Sequence, residues 1–143
     1  MRKILKLFVY LWQLPQMLVG LLICNLIKDT QSFNATTKTG KVYHGKVYFA
    51  DWFNSAVCLG KYIIVDKKLK GTVQLPQTIK HELGHSIQSI LLGWFYFIII
   101  GIPSFVLNII SRIYKKDAQW YYSKFPENWA NKLAEGIITV ELK

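Results

Sequence analysis

Acidic residues are scarce in this sequence: eight Asp and Glu stand against eighteen Lys and Arg, for a formal net charge of +10. Such a balance favours anionic partners, either nucleic acid or lipid headgroups. Nucleic-acid motifs are missing too, with no paired zinc-finger spacing and no RNP-type signature, so lipid is the expected partner and nucleic acid is not. Cysteine is limited to Cys24 and Cys58, too few for a disulfide framework, and Cys24 sits in an apolar run where it reads as a small hydrophobe. The basic-then-apolar start, "MRKILKLFVYLWQLPQMLVGLLICNL", lacks a small-x-small cleavage site. Leu22 and Ile23 also stand where a lipoprotein cysteine would need small neighbours, so the segment is expected to be retained. No internal repeat or low-complexity stretch interrupts the 143 residues, a length that suits one domain with one core.

Apolar residues are in excess. They make up 52% of the chain and charged residues only 18%, against roughly 45–50% and roughly 25% in soluble proteins. The excess gathers in two blocks. Residues 4–27 are long enough for a spanning helix, which needs about 20 residues. Gln13, Pro15 and Gln16 fall in the middle, leaving one kinked span and two short interfacial helices both open. Residues 90–110 are uncharged, yet Gly101 and Pro103 divide them into halves of about ten residues that reach only about 15 Å each. "SRIYKK" then supplies cations and a tyrosine suited to headgroups.

Residues 41–65, "KVYHGKVYFADWFNSAVCLGKYIIV", are rich in Val, Tyr, Phe and Ile and predict two or three strands, with a tight hairpin or bulge at Gly45. A solvated turn, "DKKLKG", follows. Pro76 suits the first position of a helix over 76–93, and Pro126 and Gly136 bracket a last helix over 126–136.

The chemistry concentrates in "KHELGHSIQS", residues 80–89. His81 and His85 are four apart, so on a helix two imidazoles lie on one face and reach one ion. Glu82 follows directly and projects beside that ion, where a carboxylate can take a proton from water and pass it to a leaving amine. The alternative is a polar helix face that binds nothing.

"HELGH" resembles the active-site helix of the zincin metallopeptidases, and the downstream "ENWAN" resembles the E-x-x-A-D of the gluzincin branch. The resemblance covers residues 78–93 and 126–136. It implies Zn²⁺ held by His81, His85 and Glu127, with Glu82 as general base on zinc-bound water and a peptide or protein as substrate. Asn131 stands where the family has an aspartate that accepts a hydrogen bond from a ligand histidine; its amide oxygen can accept but lacks the charge. A strand such as "GKYIIV" is expected to bind an extended substrate along the cleft. His44, Asp51, Asp117 and Glu135 are the other candidates for third ligand, ranked below Glu127. Tyr122 and its neighbour Tyr121 precede the Glu127 helix, where a phenol can stabilise an oxyanion or act as an interfacial anchor.

The expected architecture is a single α+β domain over 1–143. It has an apolar helical block at 4–27, a small antiparallel sheet from strands in 41–75, the active-site helix and the third-ligand helix. The two apolar blocks are membrane-associated helical segments, the second an apolar hairpin over 94–114 that turns at Gly101-Ile102-Pro103. A straight crossing by residues 90–110 would leave His85 and Glu127 on opposite faces of a bilayer, so a chain that binds one ion with both must turn back. The expected location is a membrane, integral or monotopic, the cytoplasmic membrane of a bacterium. The alternative function is a metal-binding or structural membrane protein without catalysis.

Overall fold

The structure, a computed structural model, describes residues 2–51 and 55–143, with side chains from residue 7 onward. The stretch Trp52, Phe53 and Asn54, within the region expected to form strands, lies outside the described residues. Helices α1 (Arg2–Trp12) and α2 (Leu14–Cys24) precede strands β1 (Thr30–Thr37), β2 (Val42–Ala50), β3 (Ala56–Leu59) and β4 (Tyr62–Asp66). Then come α3 (Leu75–Leu92), α4 (Ile102–Ile113), α5 (Ala118–Tyr122), α6 (Glu127–Ala134) and the last strand, β5 (Ile137–Leu142).

The five strands form one sheet in the order β3-β4-β2-β1-β5. It is mixed rather than antiparallel as expected, because β2 and β4 run parallel while the other pairs are antiparallel. Period-two alternation explains its two faces. Phe33, Ala35, Val47, Phe49, Ile63 and Val65 point to one side and pack with Leu75 and Ile79 of α3. Leu59, Tyr62 and Ile64 point to the other, where Cys24, Met17 and Ile23 of α2 cover them. Each fully buried aliphatic side chain contributes about 1.5–3 kcal/mol, so the sheet is clamped between α2 and α3.

Gly45 marks neither a hairpin nor a bulge. It lies within β2 opposite Phe33, and a Cβ there would stand 2.4 Å from the Phe33 ring, so the glycine makes room for an aromatic core residue. "GKYIIV" contains β4, which is paired on both sides, to β3 and to β2. With both edges used it has no hydrogen-bonding groups left for a substrate strand, which corrects the expectation for it.

The two apolar blocks do not form membrane-crossing helices. None of the described helices is long and apolar enough to cross a membrane. The first block breaks at Gln13 into α1 and α2 of 11 residues each, about 16 Å apiece against a hydrocarbon core of about 30 Å. The second turns at Gly93, which has φ 54° and ψ −123°, and not at Gly101-Ile102-Pro103. From there the chain passes through a π-helical turn, Phe97–Gly101, into α4. That wide turn lies directly before Pro103, which has no N–H to offer an α-helical ladder.

The polar residues of these blocks bind protein. Gln16 Nε2 donates to Ser89 Oγ at 3.0 Å and to Gly93 O at 2.9 Å, and Ser89 Oγ donates to Gln13 Oε1 at 2.7 Å. Trp12 Nε1 donates to Ile90 O, and Trp94 Nε1 to Leu11 O. The α1–α2 corner is thereby tied to the C-terminal corner of α3.

Candidate metal centre

Pro76 lies in the first turn of α3, where its missing N–H costs nothing. Two turns further on, Gly84 decides how closely α6 approaches. A Cβ at Gly84 would sit 2.1 Å from the backbone oxygen of Ala130, so only glycine lets the α6 backbone lie against α3 there. The fully buried Ala130 is the matching small residue. This contact sets Glu127, three residues before Ala130, and Asn131, one after it, against the histidine face of α3.

Three ligand atoms converge. His81 Nε2 lies 3.0 Å from Glu127 Oε2, His85 Nε2 lies 3.2 Å from the same oxygen, and the two Nε2 atoms are 3.2 Å apart. Ligands about 2.0–2.1 Å from a tetrahedral ion stand roughly 3.3 Å from one another, close to this triangle. The other ring nitrogens fix the protons. His81 Nδ1 meets Asn131 Oδ1 at 2.8 Å and His85 Nδ1 meets Gln88 Oε1 at 2.7 Å. The Gln88 amide is oriented by its own donation to Pro126 O at 3.1 Å. Amide oxygens only accept, so each Nδ1 carries its ring's proton. With both rings neutral, two Nε2 lone pairs and a carboxylate oxygen face one another, an arrangement that a cation satisfies, whether a proton or a metal ion.

The electrostatics agree. Burial lowers the basicity of His81, but hydrogen bonds to Glu127 and Asn131 and the charge of Glu82 outweigh it, and its pKa is raised. Burial pushes the Glu127 carboxyl up, but His81, His85 and Ser104 overcome this and hold it well below the usual carboxylate range. Without another cation, a proton taken up by His81 helps to meet the Glu127 charge. His81, His85 and Glu127 form a buried group that can hold a metal ion.

Glu82 is 3% exposed, and its Oε2 has no hydrogen-bond partner among the described residues. Burial raises its pKa, against the lowering effect of the two histidines. A buried carboxylate oxygen without a partner costs stability, and here it belongs to the carboxylate adjacent in sequence to the first ligand. The Tyr122 ring packs edge-on against the His81 ring, with centroids 4.9 Å apart. The Tyr121 hydroxyl lies 3.2 Å from Ser104 Oγ, and Ser104 in turn donates to Glu127 Oε1.

The other candidate ligands stay apart from this group. His44 is exposed on β2 and bonded to Asn34, Asp51 pairs with Lys67, Asp117 caps α5 by accepting from Trp120 N, and Glu135 is exposed beyond α6. Sequence reasoning missed Gln88 and Ser104. Gln88 was readable, since it lies three residues after His85 on the same helix face. Ser104 carries only a faint signal, a hydroxyl beside Pro103 in an otherwise apolar run. Comparison with protein-family models, curated proteins and solved structures gave no match, so the functional reading rests on the geometry of this centre.

Proposed function

We propose that the protein is a zinc-dependent peptidase acting at a membrane surface. The observation that carries the reading is the convergence of two Nε2 atoms and one carboxylate oxygen within 3.2 Å of one another, beside a buried carboxylate whose Oε2 lacks a partner among the described residues. Two imidazoles and one carboxylate match the donor set of catalytic zinc sites that keep a fourth position open. A zinc ion held there supplies Lewis acidity, polarising a scissile carbonyl and making water acidic enough to lose a proton near neutral pH.

The chain's own residues supply the rest. His81 and His85 are held in one tautomer by Asn131 and Gln88, and Glu127 contributes the negative charge. Glu82 accepts the proton of the attacking water and delivers it to the leaving amine, the role its raised pKa suits. Tyr122 keeps its phenolic proton, because burial and the charges of Glu82 and Glu127 raise its pKa, and so is available as a donor. Glu82→Gln is expected to abolish hydrolysis of a peptide library while zinc content, measured by atomic emission, stays at the wild-type level. Hydrolysis at the wild-type rate in that variant would refute the mechanism, and a zinc-loaded wild type that cleaves no peptide would favour a metal-binding protein without turnover.

The membrane part of the reading is a chain that lies on lipid rather than crossing it. Phe8, Leu11, Leu14, Trp94, Phe95 and Ile98 are exposed, close in sequence to the tied corners of α1–α2 and α3. The net charge of +10 suits anionic headgroups.

A further inference from the structure

Ser104 is the residue whose position demands an explanation. It lies in α4, outside both motif helices, yet its hydroxyl donates to Glu127 Oε1. The register that brings it there is anchored upstream: Tyr96, Ile100 and Ser104 are spaced by four. Tyr96 is buried with its hydroxyl donating to Cys58 O at 3.0 Å, and Ile100 is buried as well. Neighbouring Phe105 and Val106 are exposed. One edge of this helical segment is therefore turned inward, and Ser104 is where that edge meets the metal centre.

The proton inventory gives the contact a direction. Ser104 has one proton and commits it to Glu127, so the Tyr121 hydroxyl, 3.2 Å from Ser104 Oγ, must donate to the serine. A chain of hydrogen bonds runs from Tyr121 through Ser104 to Glu127 Oε1, while Oε2 alone faces the two Nε2 atoms. A carboxylate can bind a divalent ion through one oxygen or through both. Using both here would require Oε1 to turn towards the ion, against the hydrogen bond by which the serine holds it.

We propose that Ser104, oriented by Tyr121, is a positioning residue that holds Glu127 as a one-oxygen ligand and thereby keeps one place at the metal free for water or substrate. This rests on the reading of His81, His85 and Glu127 as a metal centre. It assigns α4 a part in that centre that neither motif announces. A serine that merely satisfied the nearest carboxylate would leave the coordination number unchanged on its removal.

The test uses the full chain loaded with Co²⁺, whose visible absorption is much stronger with four ligands than with five or six. Wild type and Ser104→Thr, which keeps the hydroxyl, are expected to show the intense four-coordinate band. Ser104→Ala is expected to lose intensity towards the five-coordinate level as Oε1 swings onto the ion, with Tyr121→Phe between the two. Far-UV circular dichroism establishes that each variant is folded, and Tyr121→Phe carries the test if Ser104→Ala is not. A wild-type spectrum in both Ser104→Ala and Tyr121→Phe would overturn the proposal, and failure of the wild type to take up Co²⁺ would overturn the metal centre with it. Peptidase activity plays no part in the readout, so failure here and failure of the hydrolase reading are separate results.

Discussion

Replacing Gly84 by alanine adds one methyl group at the closest approach of α3 and α6. The new Cβ would lie 2.1 Å from the Ala130 backbone oxygen and 2.7 Å from its carbonyl carbon, about 1.3 Å inside the 3.4 Å at which ordinary contact begins. Both nearest atoms are backbone, so no side chain can swing away and α6 itself must move. A ligand set tolerates about 0.2 Å of error in its metal distances. A displacement of about 1 Å would therefore take Glu127 and Asn131 out of range of His81 and His85 together. Overpacking of this kind costs about 1–3 kcal/mol of stability, which leaves the chain folded if its total stability is the usual 5–15 kcal/mol. The expected result is a cooperative thermal melt at lowered temperature and a loss of zinc affinity of at least about 10–100-fold, the range seen when only an outer hydrogen-bond partner is lost. Competition against a chromophoric chelator measures the affinity. A Gly84→Ala protein that binds zinc as tightly as wild type would refute the argument that this glycine sets the spacing of the site.

Two further outcomes follow from the charges and the surface. The pKa of His81 is raised in the metal-free protein, so at pH 6, below even its unshifted value, the ring is protonated and a metal must displace that proton. Zinc affinity is expected to weaken about tenfold per pH unit on that side, with about one proton released from His81, and calorimetry at pH 6 in buffers of different ionisation enthalpy would expose the error if no proton came off. Vesicles containing anionic phospholipid are expected to sediment the protein, with binding reduced in a Trp94→Ala, Phe95→Ala double variant and by salt; equal sedimentation of the variant at every lipid composition would remove the membrane from the proposed function.

The histidine pair of the buried group that can hold a metal ion was legible in the sequence because it is local. His81, Glu82 and His85 occupy five consecutive positions, and a helix of any origin puts both histidines on one face. Much of the sheet was not legible. β1 is spelled "TQSFNATT", with only Phe33 and Ala35 buried, so its apolar alternation is too thin to announce a strand. β5 begins immediately beyond the glycine that reads as a helix end, and nothing local says that it pairs with β1. The apolar blocks misled for a different reason: hydropathy records that a side chain avoids water and is silent on whether its neighbour is lipid or protein. The decisive contacts of Gln16 are with Ser89 and Gly93, more than seventy residues away.

Those contacts join the N-terminal helices to the chemistry. One ion shared by His85 and Glu127 requires the chain to reverse after α3, and the reversal occurs at Gly93, whose positive φ few other residues adopt. Its carbonyl is held by Gln16, and the Trp12 indole occupies the space that a Cβ at Gly93 would fill, at 2.1 Å. The helices that resemble a membrane anchor in sequence thus brace the turn that sends the next segment back. That segment carries Tyr96, Ile100 and Ser104 along one edge and ends by presenting Ser104 to Glu127. Three stretches far apart in the chain, 12–16, 89–93 and 104, are therefore mechanically in series with Glu127. A defect at the α1–α2 corner would reach Glu127 through Gly93 and α4, with α3 and its two histidines left in place.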